Sequence, residues 1–223
     1  AGKSIIFKML CGLLKPTKGS STILGQDLRS AQQIERQKIG YMAQKFSLYG
    51  NLTAQQNLYF FAGVYGLNHH ERKRTIAEIV ETFSLKNYLS TPAEELSLGF
   101  KQRLALACSV MHQPKVLFLD EPTSGVDPLI RREFWLHING MIQKGVTVFV
   151  TTHFMDEAEY CDRMCIVYKG SIIALGSPDE LKGKIRKKNQ ELPTLENTFI
   201  KMIERHDAAE YEANGKKEIS YDT

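Results

Sequence analysis

The stretch KVLFLDEPTSGVD, Lys115 to Asp127, constrains the fold more than any other part of the chain. Val116 to Leu119 is a continuous apolar run, as suits a strand buried on both faces of a parallel sheet. It ends in two adjacent acids, Asp120 and Glu121. Such a strand delivers both carboxylates to the carboxyl edge of its sheet, where α/β folds bind ligands. Acids placed there without a chemical role would cost desolvation with no return. Nucleotide hydrolysis has a role for each. On that reading Asp120 would hold Mg²⁺ through water, and Glu121 would polarise the attacking water as general base.

A Mg²⁺ acid of this kind needs a phosphate cradle on a neighbouring strand. The chain opens with AGKSIIFKML, and Gly2, Lys3 and Ser4 match the end of the phosphate-loop pattern G-x-x-x-x-G-K-[ST]. Lys3 supplies a point charge for the β- and γ-phosphates, and the Ser4 hydroxyl a Mg²⁺ ligand. The backbone N–H groups from Gly2 to Ile5 open an apolar helix whose positive end favours anions. In LSLGFKQRLALA, Ser97 and Gly99 open a second helix with a small hydroxyl and a glycine that lets a phosphate come close. Alone, that second motif is a plain N-capped helix.

The texture of the chain divides it. Ile5 to Leu14 reads as a helix, Ser21 to Leu24 and Ile39 to Ala43 as short strands. Thr53 can cap a helix over Ala54 to Val64, with Gln56 in capping-box position. Further helices are predicted over about Glu71 to Phe83 and Gly99 to His112. After Pro114 strands and helices alternate: Val116 to Leu119, a helix over Pro128 to Gln143, Val146 to Thr151, a short helix over Phe154 to Tyr160, then strands Met164 to Tyr168 and Ser171 to Leu175. That alternation implies a mainly parallel sheet flanked by helices, with an all-α subdomain inserted over 53–112 between core segments 1–52 and 113–181. Residues 182–223 form a polar tail with one helix, Leu195 to Ile203, and disorder beyond His206.

A net charge of +4 is compatible with a nucleotide, but no segment gathers it into the basic, aromatic-laced stripe that nucleic acid requires. Cys11, Cys108, Cys161 and Cys165 lack zinc-site spacing and read as reduced thiols. No run of about 18 apolar residues and no signal peptide is visible. His69, His70, His112, His137 and His206 read as surface or helix residues, and Glu157 and Glu159 as solvated helix positions.

These motifs, in this order and spacing, resemble the ATP-binding domain of ABC transporters, a P-loop NTPase fold. GKS resembles the end of the Walker A motif, VLFLDE the Walker B motif and LSLGF the signature sequence. Gln44 falls where the family has its Q-loop glutamine, Ser124 to Asp127 where it has its D-loop, and His153 where it has its switch histidine. The resemblance covers residues 1 to about 180, and LGFKQRLALA, DEPTSGVDP and HFMDEAEYCDR look closest to the ABC-2-type exporter branch.

The resemblance implies ATP and Mg²⁺ as ligands. It implies two such domains, identical or sister, facing head to tail, with membrane permease subunits as partners and a place on the inner, cytoplasmic face of the cell membrane. Ser97, Gly99 and the D-loop Asp127 would address the partner's nucleotide; Gln44 would join Ser4 and Asp120 at Mg²⁺, and with His153 would sense the γ-phosphate and the water. The segment Lys45 to Leu52 and the helical subdomain would receive the permease, with Phe46, Tyr49 and Tyr65 available there and Tyr59, Phe60 and Phe61 expected in the core.

Three departures stand out. Leu98 and Phe100 replace a glycine and a glutamine of the signature, and Ile5 stands where the family usually has threonine. The chain also starts inside the phosphate loop, so it is expected to be a cut piece that alone binds ATP poorly and hydrolyses it weakly. Alternatives are a soluble ABC-type ATPase and a non-catalytic nucleotide sensor. No long coiled-coil insertion separates the Walker motifs, and Glu121 and His153 are retained, so the exporter reading is preferred.

Overall fold

The computed structural model describes residues 2–27, 37–44, 48–186 and 191–218. The chain divides into two compact units: Ser4–Thr151, and Thr152–Thr223 together with Ala1–Lys3.

The larger unit is built on three parallel strands, β3 (Ile39–Met42), β4 (Val116–Asp120) and β5 (Thr147–Thr151), in the order β3-β4-β5. Every residue of the central strand β4 is buried, as its unbroken apolar run requires. Phe118 anchors the core, edge-on to Phe7 at 5.5 Å and stacked on Phe149 at 5.1 Å. Phe7 comes from α1 (Lys3–Leu10), and with Leu10 of the same helix it packs with Val116, Phe118 and Ile39. The helix is shorter than the sequence suggests, because Gly12 takes a left-handed conformation (φ 72°) and Leu13 N–H turns back to the Lys8 carbonyl at 2.8 Å. The strand expected over Ser21 to Leu24 is a two-residue β1 (Thr22–Ile23), paired antiparallel with β2 (Gln26–Asp27) around the left-handed turn Leu24-Gly25.

Helices α2 (Ala54–Val64), α3 (His69–Thr82) and α4 (Leu98–Val110) belong to this same unit. Thr53 and Gln56 form the anticipated capping box of α2. α3 begins earlier than its apolar pattern suggests, since Asn68 and Glu71 form a second capping box. α4 is buried on most of its circumference, including Gln102, Leu104 to Ser109 and Gly99. It lies so close to β3 that a Cβ on Gly40 would sit 2.5 Å from the Ser109 carbonyl oxygen. α5 (Pro128–Gln143) follows β4, capped by Asp127 with Pro128 in its first turn.

In the smaller unit, α6 (Met155–Ala158) precedes an antiparallel hairpin of β6 (Met164–Tyr168) and β7 (Ser171–Gly176), then α7 (Pro178–Ile185) and α8 (Leu195–Glu218). Ile166, Leu181, Ile185 and Met202 form its core. Two expectations change here. Glu157 is buried rather than solvated: α6 is a single turn, so its side chains cannot sort onto a wide exposed face. α8 runs to Glu218 instead of ending near Ile203. The hairpin turn holds it, since Lys169 Nζ donates to Asp207 and Glu210 at 2.8 and 3.0 Å and the Tyr168 hydroxyl donates to Asp207 at 3.0 Å. These bonds push the Lys169 ammonium pKa up and hold the Asp207 carboxyl below its usual range. Among the described residues no helix is long and apolar enough to cross a membrane.

Candidate active site

The end of β4 and the start of α1 meet at one pair of oxygens. The Ser4 hydroxyl donates to Asp120 Oδ1 at 3.1 Å. The same oxygen accepts from the Thr151 hydroxyl at 2.5 Å, across the register that pairs Asp120 with Thr151. Asp120 is 2% exposed, so its charge acts on its neighbours with little screening. Burial first, and Asp120's charge second, push the Cys11 thiol and the Tyr41 hydroxyl each up to about 12. A carboxylate and a hydroxyl oxygen side by side form the hard-oxygen donor set that Mg²⁺ prefers, so the residues present fit that ion.

Glu121 follows directly and takes a left-handed backbone conformation, φ 48°. A non-glycine residue held there is strained, which the surrounding structure must over-determine. It does so through the Glu121 N–H, which donates to both the Thr151 carbonyl and the Thr151 hydroxyl at 3.0 Å. Gln44, two residues past β3, donates from Nε2 to Glu121 Oε2 at 2.8 Å. Its amide nitrogen is thus turned to the acid, and the amide oxygen is the atom it has for a cation. Ser4 and Gln44, distant in sequence from the adjacent Asp120 and Glu121, stand with them at the carboxyl edge of the sheet.

Ser97 and Gly99 lie at the start of α4. Ser97 is the N-cap residue, yet its side chain makes no capping bond. Gly99 is packed against α5, where a Cβ would come within 2.6 Å of Ile130 Cδ1. The two signature departures have local partners. Leu98 lies against Gly125, whose added Cβ would be 3.0 Å from Leu98 Cδ2. Phe100 packs on Tyr88 at 3.9 Å and under the Arg103 guanidinium at 4.9 Å. Asp127 Oδ1 is engaged as a helix cap, accepting from Leu129 and Ile130 N–H at 3.0 and 3.1 Å.

Of the remaining predicted residues, Gly2, Lys3 and His153 belong to the smaller unit and the others to the larger one. Gly2 is left-handed at φ 89°, and Ile5 is half exposed in the first turn of α1. Lys3 Nζ donates to the Thr152 carbonyl at 2.7 Å. The His153 ring tilts against Phe154 at 4.1 Å. Lys45 to Ser47, with Phe46, fall outside the described residues. Tyr59 and Phe60, expected in the core, are 38% and 40% exposed. They sit on the outer side of α2, where Phe60 meets Tyr49 at 4.5 Å. His112, read from the sequence as a surface or helix residue, stacks on Tyr65 at 3.7 Å and lies 3.1 Å from the Ile39 carbonyl; burial lowers its pKa. Thr151 went unnoticed in the sequence because nothing local marks a strand threonine as a carboxylate's partner; only the β4–β5 register does.

The family described as ABC transporter matches residues 1–124. The chain belongs to the ABC transporter family. Among its relatives, YbhF of Escherichia coli, a probable multidrug ABC transporter ATP-binding protein, is 62% identical over 203 residues, covering 91% of this chain and 35% of YbhF. Nod factor export ATP-binding protein I of Burkholderia orbicola is 37% identical over 182 residues, covering 81% of this chain and 60% of that protein. The chain thus spans about a third of the YbhF relative's length. Among solved structures, an ATP-binding subunit of an ABC transporter superposes with a TM-score of 0.79 at 28% identity, covering 91% of this chain and 83% of that one. CbiO1 of Clostridium perfringens, part of the cbiONQ ABC transporter complex, gives 0.72 at 28% identity, covering 82% and 76%. The α/β architecture is accordingly that of a P-loop ABC ATPase.

Proposed function

We propose that this chain is the ATP-binding domain of an ABC-type exporter, coupling ATP binding and hydrolysis to the work of membrane permease subunits. One observation carries the hydrolytic part of this reading. Gln44 Nε2 holds the Glu121 carboxylate at 2.8 Å, next to the Ser4–Asp120 oxygen pair at 3.1 Å. A carboxylate held beside a hard-oxygen pair is arranged to accept a proton from water attacking a phosphate bound there.

Ser4, Asp120 and Gln44 would hold Mg²⁺, which when bound neutralises phosphate charge and orients the phosphoryl group. Glu121 accepts the proton of the attacking water, and its two bonds to Thr151 fix the direction from which it does so. By motif, Lys3 and the Gly2 to Ile5 backbone serve the phosphates, and His153 addresses the γ-phosphate. Ser97 has its hydroxyl uncommitted to its own helix, which supports a role toward a nucleotide held by a second ATP-binding domain in a head-to-tail pair. The exposed aromatics Tyr49, Tyr59 and Phe60 support a contact with the permease on the inner face of the membrane. Relatives named for multidrug and Nod factor export favour outward transport.

The test is Glu121→Gln in a longer polypeptide that carries this sequence. The variant keeps the side chain's shape and should bind Mg-ATP as tightly as the parent. Its turnover should fall by about 10²–10⁴-fold, the share a general base contributes. Steady-state ATPase rates alongside a nucleotide titration decide the matter: unchanged turnover removes Glu121 from the role.

A further inference from the structure

Gln102 lies one turn into α4, three residues past Gly99, and is 3% exposed. Its Nε2 donates to the Ser124 carbonyl at 3.0 Å. The Ser124 N–H donates in turn to the Glu121 carbonyl at 3.2 Å. Glu121 N–H is itself anchored on Thr151. A continuous hydrogen-bonded path therefore runs from the signature helix to the backbone of Glu121.

Packing follows the same path. Gly99 abuts Ile130, whose Cδ1 would lie 2.6 Å from an added Cβ, and Leu98 abuts Gly125, where the corresponding distance to Leu98 Cδ2 would be 3.0 Å. Arg103, one residue past Gln102, pairs with Glu133 of α5. The first turns of α4 and α5 thus close around the loop that links Glu121 to Asp127.

The other end of the Gln102 amide points to its purpose. Oε1 is buried with no hydrogen-bond partner among the described residues. A buried acceptor left unpaired destabilises the fold, and an unbranched apolar side chain of similar length would pack there without that penalty. Gln102 is therefore a poor choice for the stability of α4. What it adds is the bond to Ser124.

We propose that Gln102 is a positioning residue for Glu121: it fixes the Glu121–Ser124 turn, and through α4 it ties the aim of the Glu121 carboxylate to whatever engages Ser97 and Gly99. This rests on the reading of Glu121 as general base. In a head-to-tail pair, a phosphate held by the partner and gripped by Ser97 and Gly99 would then set the acid at this chain's own site. The two sites would be linked by a route only a few bonds long.

The experiment uses Gln102→Met in the longest polypeptide that carries this sequence, with Glu121→Gln measured in parallel. Methionine keeps the length and removes the amide. The expected result is a fall in kcat of about tenfold to a hundredfold, the scale of a misplacement near 1 Å. KM for Mg-ATP should stay within about twofold, and the thermal midpoint should hold or rise. Unchanged kcat, or kcat and thermal midpoint falling together, overturns the assignment. So does loss of folding in both Gln102→Met and a second variant, Gln102→Leu, which would make the amide a structural group. If Glu121→Gln leaves turnover intact, the proposed general base fails and this inference with it. If Glu121→Gln slows turnover while Gln102→Met does not, only this inference is lost.

Discussion

Thr151 uses one hydroxyl twice. It donates to Asp120 Oδ1 at 2.5 Å and accepts from the Glu121 N–H at 3.0 Å. Thr151→Val is nearly isosteric and removes both bonds. Glu121 N–H keeps its bond to the Thr151 carbonyl, so the loss falls on Asp120, a buried carboxylate left with one donor fewer. A hydrogen bond to a charged group is worth about 1.5–3 kcal/mol, and Thr151→Val should lower the unfolding free energy by that amount. A shift of the urea midpoint at constant slope would show it; an unchanged midpoint would mean that water replaces the hydroxyl. At this scale the sequence was legible where a residue's neighbours in the chain declare its role. Asp120 and Glu121 end an apolar run, and Thr53 stands three residues before Gln56. It was silent on Thr151, Gln102 and His112, whose partners Asp120, Ser124 and Tyr65 lie far off in the chain.

Among the elements, the contact between α4 and β3 has the least slack. Gly40 is where the helix backbone reaches the sheet, and an added Cβ would meet a backbone oxygen at 2.5 Å and Leu117 Cδ1 at 2.8 Å. A side chain can swing away, but a helix carbonyl cannot. Gly40→Ala should therefore destabilise by about 1–3 kcal/mol, the usual cost of overpacking. It should also displace Gln44, four residues on, from Glu121. Chemical denaturation gives the first effect and ATPase turnover the second; a fully stable, fully active variant would show that α4 moves freely off the sheet. The same contrast governs helix boundaries. Capping boxes at Thr53, Asn68 and Ser177 are local and set their helix starts. The extent of α8 was not legible, because the groups that hold its polar second half, Tyr168 and Lys169, come from the β6–β7 hairpin.

For the molecule as a whole, burial of acidic hydroxyls and thiols makes a statement about pH. The Cys11 thiol is pushed up from 9.0 to about 12, and the Tyr41 and Tyr65 hydroxyls from 10.0 to about 12, in each case chiefly by burial. The fully buried Cys108 thiol is raised further still, again by burial. Each group binds its proton more tightly folded than unfolded. The native state therefore holds more protons above pH 9, and stability falls as pH rises. The contribution is complete below about 9 and is lost progressively toward about 12. Thermal midpoints should be level from neutrality to about pH 8.5 and drop steeply by about pH 10.5. Cys11→Ala together with Cys108→Ala should flatten the drop; an equally steep fall in that variant would place its origin elsewhere.

The parts of this molecule are written in its sequence. The apolar run before Asp120, the GKS ahead of an apolar helix, the LSLGF before another and the order in which they come were enough to name the fold class and to nominate the chemical groups. Each is a local pattern, carried by neighbouring residues through strand burial, helix polarity or backbone freedom. Which of those groups touch is a property of the folded core. Gln44 meets Glu121 across 77 positions of chain, and Ser4 meets Asp120 across 116. Gln102 reaches the Ser124 carbonyl in the loop after Glu121, where Gly99 brings α4 close to Ile130 of α5. Contacts of that kind depend on strand register and on close packing between helices. Both are set by the whole core at once, and no short stretch of sequence contains them.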